Sequence, residues 1–172
     1  ITGGSAGIGK AIAKNFLISG ANVVIAARRK SKLEQAVSDI TAACETYPNC
    51  KSRIKSISAD IRLAEECAKL VAFTESEFGG IDILINNAGT SQKGDFLEVS
   101  DEVWQDDLDL KLFAAIRLSR LVIPKMRTRK WGRIINVLNL GAKAPTGGSA
   151  PTAISRAAGM ALMKVLADEN AA

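Results

Sequence analysis

Apolar and polar positions along this chain follow two rhythms that alternate from one end to the other. Short, nearly unbroken apolar runs at 21–27 (A-N-V-V-I-A-A), 54–59, 81–86 and 132–138 predict buried strands, and Ile1-Thr2 reads as the stub of a strand before them. Between the runs, apolar residues recur every third or fourth position. Leu33, Ala36, Val37 and Ile40 fall on one face of a helix over 31–44. The same spacing predicts helices over 8–19, 63–78, 101–129 and 151–168, with Gly20 stopping the first and Pro151 opening the last as a first-turn residue. Strands that are apolar on both faces and separated by helices imply a parallel sheet covered on both sides. The expected fold is therefore doubly wound α/β, a Rossmann fold in three α/β/α layers, with its ligand at the carboxyl ends of the strands.

Composition narrows the class. A length of 172 residues makes one domain with a real core, and 47% apolar against 5% aromatic content suits an aliphatic interior. Cys44, Cys50 and Cys67 are odd in number and form no disulfide framework, which fits reduced thiols in a cytoplasmic setting. Histidine is absent, so Ser-His-Asp chemistry and the usual zinc hydrolase sites are excluded, and no metal is expected. The formal charge of +5 includes basic clusters at 28–30 and 125–133. Aromatic stacking partners are scarce, so these read as solvated faces rather than a nucleic-acid surface. No apolar run approaches the ~18 residues of a membrane span.

The first ten residues, I-T-G-G-S-A-G-I-G-K, carry the densest chemistry. Gly3, Gly7 and Gly9, with Ser5 and Ile8 among them, lie between a strand end and a helix start. Glycine lets a backbone approach a phosphate, and a helix N-terminus offers free N–H groups. Two readings compete. The stretch from Gly4 to Ala11 nearly spells a P-loop for ATP or GTP, but Ala11 lacks the hydroxyl that would hold magnesium. The alternative is T-G-x-x-x-G-x-G, a dinucleotide loop, which Thr2, Gly3, Gly7 and Gly9 match in full.

Further marks favour the dinucleotide. Arg28-Arg29 follows the strand at 21–27 with no carboxylate before Glu34. An acidic residue there would suit a ribose hydroxyl, whereas an arginine fork suits a 2′-phosphate, so NADP(H) is expected ahead of NAD(H). A solvated basic turn is the plainer alternative. Asp60-Ile61 closes the strand at 54–59, where the carboxylate either accepts from an adenine amino group or caps the helix after it. Asn86-Asn87-Ala88-Gly89 closes the strand at 81–86.

With T-G-x-x-x-G-I-G and N-N-A-G at this separation, the chain resembles the classical short-chain dehydrogenase/reductase (SDR) family over essentially its whole length, 1–172. The resemblance implies that the loop glycines, Asn87, Ala88 and Gly89 line a nicotinamide cofactor, while Asn86 ties the central sheet. It implies a small-molecule carbonyl or alcohol substrate, and a homodimer or homotetramer packed through helices 101–129 and 151–168. Against that family the chain reads as a single domain with a shortened first strand, lacking the later strands and the substrate loop.

The resemblance also implies an Asn-Ser-Tyr-Lys tetrad, and here this chain departs from the family. W-G-R-I-I-N-V-L-N resembles the family strand that ends in the Ser and puts Asn139 there. P-T-A-I-S-R-A-A-G resembles the Tyr-Lys segment and puts Thr152 and Arg156 at those positions, while counting on from Trp104 puts Lys111 at the Asn. A threonine hydroxyl is a far weaker acid than a phenol of pKa about 10. Arg156 keeps a positive charge but cannot release a proton. Asn139 can still donate an N–H to a carbonyl. Lys111 becomes a proton donor if desolvation lowers its pKa. Two functions stay open: an oxidoreductase with a rearranged site, or a nucleotide-binding protein without catalysis that serves as a sensor or partner.

Overall fold

In the computed structural model, which describes residues 1–47 and 49–171, every predicted strand and helix is present. Helix α1 (Gly7–Ile18) buries Gly9, Ala13 and Leu17 at intervals of four. It stops at Gly20, whose φ of +91° lets Ala21 N–H reach Phe16 O and Gly20 N–H reach Leu17 O. That pair of bonds closes the helix end in the way glycine alone does without strain. Strand β1 (Val23–Ala27) leads to α2 (Lys30–Ala42), then β2 (Ile54–Ser58), α3 (Ala64–Phe78) and β3 (Ile83–Asn86). A short β4 (Lys93–Gly94) precedes α4 (Asp101–Leu108), a π-helical turn (Asp109–Phe113) and α5 (Ala114–Arg129). Strand β5 (Arg133–Asn136), a short β6 (Ala150–Pro151) and α6 (Thr152–Asn170) complete the chain.

The sheet is assembled from two parallel pairs. β1 runs beside β2, with Val23 opposite Ile54, and β3 beside β5, with Ile83 opposite Arg133. Ile1-Thr2 joins them: Ala26 N–H donates to Ile1 O and Thr2 N–H donates to Ile85 O, each at 3.0 Å. The order is therefore β2, β1, residues 1–2, β3, β5. Because successive residues of a strand face opposite sides, β1 feeds both layers. Val23 and Ile25 pack with α1 and α2, through Leu17, Leu33 and Ile40. Val24 and Ala26 pack with α3 and α5, through Leu70, Leu118 and Val122, and with Leu84 of β3. This is why the run reads as continuously apolar.

Most element ends lie within two residues of the sequence reading, and three differences at the last two helices change their character or length. The long helix over 101–129 is a single rod, yet its middle is wound as a π turn. Pro151 does not open the last helix; it precedes Thr152 and pairs with Lys93 in the antiparallel β4–β6 ladder. The last helix also runs on to Asn170. No helix among the described residues is long and apolar enough to cross a membrane.

Thr2 is 1% exposed, and its hydroxyl oxygen accepts the backbone N–H groups of Asn87 (3.0 Å) and Ala88 (3.1 Å). Thr2→Val keeps the shape but orphans both donors. It is expected to lower stability by about 1–3 kcal/mol, read as a fall in the urea midpoint with the slope unchanged.

Candidate active site

The glycine loop is held open by packing behind it. A Cβ on Gly9 would stand 2.4 Å from Asn87 Nδ2 and 2.5 Å from Gly3 O, so only glycine fits there. Gly3 has φ +65°, and its missing Cβ would press within 2.9 Å of Ala88 Cα. Gly7 is different: φ is +52°, yet nothing lies within 4 Å of its would-be Cβ, so the backbone is bare towards open space. Ser5 is half-buried, and Ile8 is exposed just inside α1. Ala6 caps that helix without a side-chain hydrogen bond, and no acidic residue sits in its first turn. The first N–H groups and the positive end of the helix dipole thus face an open turn, which suits a phosphate. Asn87 Nδ2 donates to Thr2 O (2.9 Å) and Gly3 O (3.3 Å), fixing the loop against the end of β3.

Arg28 and Arg29 follow β1 at the same edge of the sheet and are exposed, with Arg29 at the N-cap of α2. Neither forms a salt bridge to a described carboxylate. The Ser58 hydroxyl donates to Arg28 O at 2.9 Å, tying the ends of β1 and β2. Asp60 is placed next to them but is engaged. Arg62 Nε lies 3.1 and 3.2 Å from its two oxygens and Nη2 lies 2.7 Å from Oδ2. That guanidinium holds the Asp60 carboxyl below the usual carboxylate range, against the opposing push of burial. The helix-cap alternative does not hold, since α3 begins at Ala64 with Leu63 as its cap residue. Ile61 is buried beneath Ala88 and Lys111, in the wall of a small cavity of about 20 Å³.

Three of the residues singled out in the sequence, Lys111, Thr152 and Arg156, converge. Lys111, in the π turn, points its ammonium at Asp107 and donates to Thr152 Oγ1 at 2.6 Å. Ser155 Oγ donates to the other oxygen of Asp107, Oδ2, at 2.6 Å. Burial pushes the Lys111 ammonium below the ordinary lysine range, partly offset by Asp107. Arg156 lies alongside: Nη1 donates to Val137 O (3.2 Å), and Nη2 is 3.2 Å from where a Cβ on Gly89 would stand. N-N-A-G therefore closes directly over Lys111 and Arg156. Asn86 Nδ2 donates to Asn136 Oδ1 (2.9 Å), tying β3 to β5. Asn139 does not join the cluster: it is exposed, and among the described residues its side chain bonds none of Lys111, Thr152 or Arg156.

Of the three buried polar side-chain atoms without a hydrogen-bond partner among the described residues, Ser119 Oγ lies elsewhere, while Asn86 Oδ1 and Arg156 Nε belong to residues that line the cavity. With the bare Gly7 turn and the free arginines, they fit a polar, phosphate-bearing ligand laid across the strand ends. Asp107 and Ser155 were not singled out from the sequence. Their signals were the i, i+4 spacing of Asp107 to Lys111 and the i, i+3 spacing of Thr152 to Ser155, which bring each pair onto one helix face.

A glycine turn at the first strand end, N-N-A-G beside it and facing long helices define a dinucleotide-binding Rossmann protein. The chain matches the short chain dehydrogenase family over residues 1–172 and belongs to it. It is 32% identical over 170 residues to the uncharacterized oxidoreductase YvrD of Bacillus subtilis, covering 98% of this chain and 60% of that protein. It is 32% identical over 172 residues to human dehydrogenase/reductase SDR family member 4, covering 99% of this chain and 59% of that protein. The chain thus spans about three-fifths of the length of these curated relatives. Among solved structures, L-sorbose reductase of Gluconobacter frateurii, complexed with NADPH and L-sorbose, superposes with a TM-score of 0.90 at 37% identity, over 98% of this chain and 62% of that one. A metagenomic short-chain oxidoreductase in complex with NADP gives 0.89 at 30% identity, over 98% and 73%.

Gly9→Ala forces the loop off Asn87, and is expected to weaken nicotinamide dinucleotide binding at least about tenfold, or ~1.4 kcal/mol, by fluorescence titration. Gly147→Ala, at a glycine with nothing within 4 Å, is the control and should bind as the wild type does.

Proposed function

We propose that this chain is a single dinucleotide-binding domain of an NADP(H)-dependent oxidoreductase that interconverts a carbonyl and an alcohol on a small molecule. Lys111, Thr152 and Arg156 take over work done elsewhere in the family by Asn, Tyr and Lys. The observation that carries this reading is the 2.6 Å hydrogen bond from Lys111 Nζ to Thr152 Oγ1, formed beside Arg156 and under Gly89 at the strand ends. When bound, the reduced nicotinamide would supply the hydride. The cofactor would lie over Gly3, Gly7 and Gly9, with Asn87, Ala88 and Gly89 along its length. Asp60 and Ile61 would border its adenine end, and Arg28 and Arg29 would meet a 2′-phosphate.

Thr152 accepts a hydrogen bond from Lys111, so its own proton is turned elsewhere. Within the protein its alternative acceptor is Thr90 O, at a long 3.4 Å. A substrate carbonyl oxygen would receive that proton, Thr152 would be resupplied by Lys111, and Lys111 by solvent. Arg156 contributes a fixed positive charge that draws electron density towards the carbonyl oxygen. Asn139, exposed and apart from this cluster, would donate an amide N–H to the carbonyl. Phe113, Leu121, Ile154, Met160 and Val165 leave apolar surface on α5, α6 and the π turn, which suits a homodimer or homotetramer through these helices. Three free, buried cysteines suit a cytoplasmic setting.

A second reading is favoured by one fact: Thr152 is 2% exposed and the Lys111 side chain 4%. A site this closed also suits a nucleotide-binding protein without turnover. Purified protein mixed with NADPH and a panel of ketones and aldehydes separates the two, by loss of nicotinamide absorbance. Lys111→Met is expected to cut turnover by roughly a hundredfold or more. Tight NADPH binding with no turnover on any carbonyl selects the second reading. Replacing Arg28 and Arg29 by Ala is expected to weaken NADPH binding by ~1.5–3 kcal/mol for each charged hydrogen bond lost and leave NADH nearly unchanged. Equal losses for both cofactors would overturn the 2′-phosphate assignment.

A further inference from the structure

We propose that Asp107 is the positioning residue of this site, a carboxylate that keeps Lys111 in place as an ammonium ion against Thr152 and fixes the facing turn of α6 through Ser155. The inference rests on the oxidoreductase reading for its catalytic meaning, and on the side-chain network for its substance.

Asp107 is 1% exposed, and its side chain is withdrawn from water. A carboxylate so placed needs partners for its charge, and it has two from different elements. Oδ1 faces Lys111 in the π turn and Oδ2 accepts from Ser155 on α6. Its acidic neighbours are committed elsewhere, Asp106 to Arg62 at 3.0 Å and Asp109 to Arg117 at 3.3 Å. The charged groups facing Lys111 are thus Asp107 from α4 and Arg156 from α6, with the Thr152 and Ser155 hydroxyls between them. N-N-A-G packs over the cluster from the other side and adds no charge.

Stability alone does not account for this pair. Two helices can be pinned by apolar side chains at less cost, because taking a carboxylate and an ammonium out of water offsets most of their attraction. What a carboxylate supplies and a methyl group cannot is a reason for Lys111 to stay charged where burial favours the neutral amine. An ammonium has three N–H donors, and Asp107 and Thr152 engage two of them. The same carboxylate sets the rotation of α6, since Ser155 lies between Thr152 and Arg156 on that helix. Lys111 itself stands in a π turn, a rare winding that recurs at functional sites.

The test follows Lys111 directly, by carbon-13 NMR of protein labelled at lysine Cε and assigned with Lys111→Met. NADPH affinity and the pH profile of carbonyl reduction are measured beside it. In the wild type Lys111 should be charged at pH 7. In Asp107→Asn its titration should move down by about one pH unit or more, a tenfold shift in the equilibrium. Reduction needs the charged form, so turnover is lost as pH rises through that value, and the alkaline limb should move down with it. kcat should fall roughly tenfold or more while NADPH affinity stays within about twofold. Asp107→Glu, which keeps the charge, should restore the titration more than the rate. An unmoved Lys111 titration in Asp107→Asn, or a Lys111 already neutral at pH 7 in the wild type, overturns the proposal; the latter needs no variant to fold. Failure of the wild type to bind NADPH would instead sink the oxidoreductase reading and leave the titration to decide Asp107.

Discussion

Two residues lie between the halves of the sheet, and the hydrogen bonds of Thr2 hold both the fold and the loop that begins beside it. Its N–H bonds β3 at Ile85 O. Its hydroxyl accepts from Asn87 and Ala88, and its carbonyl accepts from the Asn87 side chain. One buried side chain thereby fixes the spacing between the glycine turn and N-N-A-G, the two segments that would enclose a dinucleotide. Buried N–H groups are costly to leave unpaired, so neither segment can shift alone. The close approach of Gly9 to Asn87 follows from that lashing.

On the proposed reading, the positions that answer to the family's phenol and lysine lie in a buried cluster of a carboxylate, an ammonium and two hydroxyls, with a guanidinium alongside. The acid strength that tyrosine brings through its ring cannot come from Thr152. In the proposed mechanism it comes from Lys111, whose ammonium is disfavoured by burial and faced by Asp107. The proton donor would then sit one atom further from the substrate, with the threonine hydroxyl as intermediary.

Much of this was legible in the residues. Unbroken apolar runs separated by helical periods fix a parallel sheet because each strand has to satisfy two layers at once, and β1 does so residue by residue. The glycine loop was legible because Gly3, Gly7 and Gly9 each meet a different demand: a left-handed turn, an open approach and a tight contact. Asp60 was read as a ligand or a cap; the helix begins beyond it at Ala64, and Arg62, two residues on, pairs with its carboxylate. Asp107 was passed over because an acid four residues before a lysine is common on solvated helices, and only tertiary packing turns that pair inward. The π turn has no pattern of its own, since it changes winding rather than residue type. Asn139 aligned by spacing, but the chain beyond β5 turns its side chain outwards.

The alternation of β1 has a mechanical corollary. Val23 and Ile25 serve one layer while Val24 and Ala26 serve the other. Sliding this strand by a single position would exchange the occupants of both interiors simultaneously. Neither face can therefore melt or misalign by itself, and β1 works as a common keel that obliges the two flanking helical layers to assemble and come apart as one cooperative unit.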